Sequence, residues 1–478
     1  MRRAKILATL GPASREPDIL EAMIAAGLNA VRINMSHGTQ VEHTETIKRA
    51  RAAAEKLNRP LAVLVDLSGP KLRTGILQDA SPVLLENGAK FVITSRETEG
   101  NHIEVSTNYK DLPKLVQPGA MVLLDDGAIE LRVESTTDED VVTTVINGGL
   151  LKERKGINLP NTHLPIPSLT RKDRDDLKFA IEQNADYVAL SFVRQAEDCV
   201  EAKKLIEELG GRARLVAKIE KAEAIVNLEE IIKASDGVMV ARGDLGVETS
   251  TELVPVYQKR IIEESIKGEK LVITATQMLQ SMVEEPRPTR AEASDVANAI
   301  WDGTDAVMLS AETASGKYPV QAVRTMCRII ETAEEGRATG SRKILKFTGE
   351  VTGRTSRALC KAAAIAAEEL EVSKIAVFTE SGHMARRLSS VRPEQQIFAL
   401  TTDQDAHTSL SLVWGVKPFM QTRGESTEEM LKKGEQTLLD AKVVEQGETL
   451  VMMAGRLSGL GLSSSVVVST IGEQVPRR

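Results

Sequence analysis

Short apolar runs of strand length recur along this chain with longer amphipathic stretches between them, and that alternation restricts the fold more than any other feature. Eight such runs are Lys5 to Leu10, Ala30 to Ile33, Leu61 to Asp66, Tyr187 to Ser191, Arg214 to Lys218, Gly237 to Ala241, Leu271 to Thr274 and Ala306 to Leu309. Helical patterns lie between them, among them Pro17 to Ala26, Val41 to Leu57, Arg171 to Asn184, Ala222 to Ala234 and Ala291 to Asp302. A strand-then-helix rhythm marks βαβ units in a parallel sheet, and eight units are the number that closes a (β/α)8 barrel.

The rhythm fails from about Gly69 to Pro167. There the β-branched runs Val92 to Thr94, Met121 to Leu124, Ile129 to Val133 and Val141 to Ile146 replace it, and Asp125-Asp126-Gly127 supplies a hairpin turn. This predicts an inserted antiparallel β domain. Past about Gly340, a helix near Thr355 to Leu370 and strands at Ile375 to Phe378, Ile397 to Leu400, Leu450 to Met453 and Ser465 to Ser469 predict a C-terminal open α/β sheet domain. The expected division is therefore α/β throughout: a parallel barrel over 1–68 and 168–340, an inserted lid over 69–167, and a regulatory or assembly domain over 341–478.

Composition removes several classes of function. The 478 residues carry 61 Lys and Arg against 68 Asp and Glu, a net charge of -7, so no general positive field exists to hold nucleic acid or an anionic membrane. Aromatic residues make up 3%, too few for a base-stacking surface. Cys199, Cys327 and Cys360 are widely spaced and form neither a disulfide framework nor a thiolate zinc site. The apolar run after the basic start ends at Gly11-Pro12, short for an export signal, and no run of about 18 uncharged apolar residues predicts a membrane span. A cytoplasmic protein is expected.

In a barrel of this kind, residues at or just past the C-terminal strand ends face the site. That rule selects Arg32, Asn34, Ser36 and His37 after the second strand, Asp66 after the third, Lys218 and Glu220 after the fifth, Gly243 and Asp244 after the sixth, Thr276 after the seventh and Ser310 after the eighth. Glu220 and Asp244 stand one βα unit apart. Two hard oxygen donors suit Mg²⁺ or Mn²⁺, which keep waters and take further ligands from substrate. In isolation such a pair reads first as a salt bridge with Lys218, Lys221 or Arg242; consecutive strand ends favour the metal. Lys218 beside it offers a point charge to a phosphoryl group in flight. Gly243 lets backbone N–H groups approach a carboxylate, and Arg32 and Arg73 could grip phosphate. Ser315-Gly316-Lys317 lacks the flanking residues of a phosphate-binding P-loop, and Gly455, Gly459 and Gly461 miss dinucleotide spacing.

Together these segments resemble the pyruvate kinase family. The resemblance is carried by Thr9 to Ser14, Arg32 to Gly38, Asp66 to Gly75, Lys155 to Pro160, Ala217 to Glu220, Ala241 to Gly246, Thr274 to Met282, Arg287 to Ala299 and Asp302 to Gly316, and it weakens in the last region. It implies transfer of phosphate from phosphoenolpyruvate to ADP, in a homotetramer. Glu220 and Asp244 would hold the divalent metal. Lys218 and Arg32 would neutralise the migrating phosphoryl, while Gly243, Asp244 and Thr276 would bind the substrate carboxylate. Asn34, His37, Arg73, Asp126 and Lys155 would face the nucleotide. Apart from the resemblance, no histidine or cysteine is placed to protonate the enolate, so a water relayed through Thr276 or Ser310 is expected to do so.

Two departures qualify the resemblance. Relatives that need K⁺ bind it near Asn34, Ser36, Asp66 and the carbonyl of residue 67, with threonine at 67 and glutamate at 71; Leu67 and Lys71 here imply a K⁺-independent enzyme. The effector phosphate loop would be Thr379, Ser381, Gly382 and His383, yet Glu380 repels phosphate and Met384 offers no hydrogen bond, which points to a sugar monophosphate or AMP. Two other readings compete: a metal-dependent aldolase barrel acting on pyruvate enolate, and a catalytically silent effector-binding protein.

Overall fold

A computed structural model describes residues 2–160, 162, 165–336, 354–454 and 465–472. The expected boundary at 340 and the glycines at 455, 459 and 461 lie outside the described residues. Eight parallel strands close into a barrel in the order one, eight, seven, six, five, four, three, two. They are Lys5–Thr9, Ala30–Asn34, Ala62–Asp66, Tyr187–Leu190, Arg214–Ile219, Gly237–Ala241, Leu271–Ala275 and Ala306–Leu309, each within one residue of the predicted runs.

Their side chains divide as the pleat demands. Leu7, Leu64, Tyr187, Val216, Met239 and Ile273 fill the barrel interior, where Leu412 joins them from the C-terminal part of the chain. The alternate residues, such as Ile6, Val63, Val188 and Val240, pack outward against the helices. Helix Arg290–Asp302 shows how the sequence sets a boundary. Thr289 and Glu292 form a reciprocal N-terminal cap, and Gly303 ends the helix at φ +104°, a conformation that costs glycine nothing. One predicted helix is interrupted: Ala222–Val226 and Leu228–Ala234 are separated at Asn227, whose side chain donates 2.9 Å to the Arg194 carbonyl. An amide side chain that bonds elsewhere competes with helix continuity.

The inserted residues build a six-stranded sheet in which most pairs are antiparallel. Lys90–Thr94 and Glu104–Ser106 depart from the expectation and pair in parallel. The predicted hairpin joins Met121–Leu124 to Ile129–Thr136, with Asp125, Asp126 and Gly127 all at positive φ. The C-terminal sheet has five strands, ordered Val416–Met420, Gln396–Thr401, Lys374–Phe378, Thr449–Ala454 and Ser465–Thr470, the last antiparallel. Val416–Met420 was not among the predicted strands.

The closed bottom of the barrel docks on this last unit through buried polar contacts. Asp305, which precedes the eighth strand, pairs with Arg392 at 2.8 Å, and Glu269 is gripped by Arg357 and Arg387 at 2.6 and 3.0 Å. Lys5 is buried and donates 2.7 Å to the Val416 carbonyl. Burial, with the Arg2 charge adding to it, pushes the Lys5 ammonium down to about 7 from its usual 10.5. Between those values the unfolded chain binds a proton that the folded chain does not, so stability rises with pH across that window. The rise is bounded at roughly 1.4 kcal/mol per pH unit. Lys5→Met should flatten it, as measured by denaturant unfolding at pH 7 and pH 9.

Candidate active site

The C-terminal strand ends converge on a charged cluster buried at the barrel mouth. Lys218, at the end of the fifth strand, lies 2.8 Å from Glu220 and 3.5 Å from Asp66, and donates 2.7 Å to Ser191 Oγ. Arg32, from the second strand, bonds Asp66 through Nε at 2.6 Å and Thr9 Oγ1 at 3.0 Å. Asp66 and Glu220 side chains are each 1% exposed, so every charge here is held by another charge rather than by water.

The proton affinities follow from that. Burial alone would raise the Asp66 carboxyl, but Lys218 and Arg32 together hold it below its ordinary range. Burial works against the Lys218 ammonium, yet Asp66 and Glu220 outweigh it and keep it firmly protonated. Glu220 is raised: burial and the charge of Asp244 exceed the attraction of Lys218 and the 2.7 Å bond from the Phe192 N–H. A buried carboxylate raised by the charge of a second one beside it matches the donor set of a divalent cation, which would relieve the repulsion. Among the described residues, no group of three or more His, Cys, Asp or Glu could hold a metal. Waters and substrate oxygens would complete the shell, as Mg²⁺ prefers.

The sixth and seventh strands contribute the adjacent wall. Asp244 lies in the first turn of helix Arg242–Glu248. The Gly243 N–H donates 2.9 Å to Thr276 Oγ1, so the two groups predicted to bind a carboxylate satisfy each other in this structure. Thr276 sits at φ +69° and Gln277 at +53°, a region that β-branched residues avoid. Arg242 fixes the strained turn by donating to the Thr276 carbonyl at 2.7 Å while paired with Asp295. Ser310 Oγ is buried without a hydrogen-bond partner.

A cleft between lid and barrel is lined by Lys71, Asp126, Gly243, Asp244, Thr276 and Ser310. The lid residues are arranged around its rim. Lys155 pairs with Asp125 at 2.8 Å, Asp126 is largely exposed 3.9 Å from Lys71, and Arg73 donates to the Arg154 carbonyl. His37 is pushed down by burial and then by the charges of Arg73, Arg32 and Lys71, which places it with them. The Asn34 side chain accepts from the Ser36 N–H at 3.1 Å. The sequence pattern set Lys71 at the monovalent-cation position. Its ion pairs are instead with Asp244, at 3.4 Å, and Asp126, while the Leu67 carbonyl accepts from Ser191 at 2.8 Å. In the last unit, Thr379 is buried, the Ser381 carbonyl accepts from Arg214 and Arg386, each at 3.1 Å, and Gly382 at φ +77° caps helix His383–Ser390. His383 is pushed down chiefly by burial.

Ser191 was overlooked at the sequence level although the strand-end rule covers it, since it directly follows the fourth strand. Thr9, which ends the first strand, and Arg242, which directly follows the sixth, fall under the same rule, whereas Asp295 lies on a helix and carries no such signal.

Such a barrel mouth, with a cationic group between carboxylates, serves phosphoryl transfer and enolate chemistry alike, and the family comparisons place the chain among the phosphotransferases. A family model described as pyruvate kinase, barrel domain, matches residues 1–323, and one described as pyruvate kinase, alpha/beta domain, matches residues 357–468. A protein from Bacillus licheniformis named pyruvate kinase is 42% identical over 481 residues, spanning 100% of this chain and 82% of that protein. One of the same name from Staphylococcus aureus (strain MRSA252) is 41% identical, spanning 99% and 81%. The chain belongs to the pyruvate kinase family. No helix among the described residues is long and apolar enough to cross a membrane.

Lys218→Met should lower turnover by at least roughly 10²- to 10³-fold, the usual loss for one transition-state contact. Ser191→Ala, which removes the bond that orients Lys218 together with the one to the Leu67 carbonyl, should cost about tenfold in kcat; steady-state kinetics of the two variants side by side would rank them.

Proposed function

We propose that the chain transfers the phosphoryl group of phosphoenolpyruvate to ADP, giving pyruvate and ATP as the last step of glycolysis in the cytoplasm. The supporting observation is the Lys218 ammonium, buried between Asp66 and Glu220 at the strand ends that face the cleft. The catalytic unit is the barrel over 1–68 and 168–340, with 69–167 as lid and 341–478 as the regulatory and assembly unit of a homotetramer.

Glu220 and Asp244 hold Mg²⁺ or Mn²⁺. When bound, that ion supplies charge neutralisation to the phosphoryl oxygens. Lys218 and Arg32 meet the same group from the protein side, where buried cations act strongly because no water screens them. The substrate carboxylate takes the N–H groups of Gly243 and Asp244 and the Thr276 hydroxyl, which gives up the bond it accepts from Gly243 and the one it donates to the Ala275 carbonyl. On the nucleotide side stand Asn34, His37, Arg73, Asp126 and Lys155. His37, its proton affinity lowered by burial and then by the cations around it, offers a hydrogen bond more readily than a charge. The enolate receives its proton through a water relayed by Thr276 or Ser310, whose buried Oγ is free for that purpose. Thr276→Ala should then slow hydrogen exchange at the pyruvate methyl; unchanged exchange would pass the role to Ser310.

K⁺ is not required in this reading. Lys71 brings a fixed cation to the cleft, and Asp66, which would ligate K⁺, is already held by Arg32 and Lys218. A phosphorylated small molecule, a sugar monophosphate or AMP, acts at Thr379, Ser381, Gly382 and His383. The bond from Arg214, at the start of the fifth barrel strand, to Ser381 gives that loop a direct tie to the barrel.

Coupled detection of pyruvate should show formation only when phosphoenolpyruvate, ADP and Mg²⁺ are all present, with full activity in K⁺-free buffer. Pyruvate chemistry independent of ADP would favour the aldolase alternative, and a strong K⁺ requirement would remove the role given to Lys71.

A further inference from the structure

We infer that Glu248 is a positioning residue that latches the base of the lid to the barrel rim. The inference deepens the phosphotransfer reading above and rests on it for its kinetic consequences. One carboxylate oxygen of Glu248 receives two bonds: Asn158 Nδ2 donates to it at 2.8 Å, and the Lys221 ammonium lies 2.7 Å away. All three residues are buried.

They come from three places that must be in register for catalysis. Asn158 lies on the short lid strand Ile157–Asn158, which pairs with Leu123 and Leu124 just before the Asp125-Asp126-Gly127 turn. Lys221 directly follows Glu220. Glu248 ends the helix whose first turn carries Asp244. A single oxygen thus joins the lid to the segments bearing both proposed metal carboxylates.

Local structure gives no reason for this chemistry. A carboxylate at a helix C-terminus faces the negative end of the dipole, and a well-packed apolar trio would be about as stable as a buried ion pair with an amide. What the polar arrangement adds is direction. The same small cavity is lined by Lys71, Asn158, Lys221 and Glu248, so the angle set at Glu248 also sets where Lys71 meets Asp244.

The joint is also built to open. Lys221 and Glu248 both belong to the barrel and stay paired whatever the lid does. The lid side is held by one N–H, and Asn158 Oδ1 is buried without a partner. At Glu248, releasing the lid breaks one bond and strands no charge, and the Lys71–Asp244 pair parts with it.

The test uses the full-length enzyme with Mg²⁺. Asn158→Ala should raise KM for ADP roughly tenfold while changing KM for phosphoenolpyruvate little, the loss expected for one hydrogen bond to a charged group. Methyl-hydrogen exchange of pyruvate, for which the proposed residues all lie on the barrel, should stay near normal, and amide hydrogen exchange over 121–126 and 155–158 should quicken. Glu248→Gln leaves Lys221 buried without its counter-charge. The double variant Glu248→Gln/Lys221→Met keeps an acceptor for Asn158, removes both charges and should recover the ADP KM. Unchanged ADP KM and lid exchange in Asn158→Ala would overturn the latch, as would a folded double variant that fails to recover. If the unmodified enzyme gives no pyruvate from phosphoenolpyruvate and ADP, the functional reading falls, and faster lid exchange in Asn158→Ala still decides the latch.

Discussion

The Lys218 ammonium lies between the carboxylates of Asp66 and Glu220, and the rest of the barrel mouth is arranged around it. Asp66 ends the third strand and also holds Arg32 of the second; Ser191, which accepts from Lys218, follows the fourth; Lys218 and Glu220 belong to the fifth. Four neighbouring strand ends are therefore tied by one buried network. Removing one of its charged members would leave charge poorly compensated in a low dielectric, which is far more costly than replacing the whole set. Such a network is poorly suited to adding stability and well suited to fixing atoms in place.

The opposite end of the barrel obeys a different constraint. Its floor is sealed by Leu412 and by ion pairs that cross to the C-terminal unit, Asp305 with Arg392 and Glu269 with Arg357 and Arg387. These contacts attach to the loops that feed the seventh and eighth strands, whose far ends carry Thr276 and Ser310. A displacement of the C-terminal unit would have rigid strands along which to reach the site.

The fold was largely legible because period-two apolar runs and 3.6-residue helical patterns are local signals. Two of the three failures had causes outside the local sequence. Asn227 interrupts a helix through a bond to Arg194, a residue well away in sequence. The strand Val416–Met420 carries Pro418, which cannot donate to a ladder and obscured the run; it lies at the edge of its sheet, where proline is tolerated. The parallel pairing of Lys90–Thr94 with Glu104–Ser106 depends on strand order within the insert, which alternation does not encode.

The candidate site divides in the same way. Residue types and their positions at strand ends determined that Lys218, Glu220, Asp244 and Thr276 would share one face, because eight parallel strands must all point their C-terminal ends the same way. Which of them touch was decided by closure and docking. The Gly243–Thr276 bond, the pairing of Lys71 with Asp244 instead of Asp66, and the meeting of Asn158, Glu248 and Lys221 link segments far apart in the chain. Their distances depend on the shear of the barrel and the angle of the lid, and no periodicity in the sequence records either quantity.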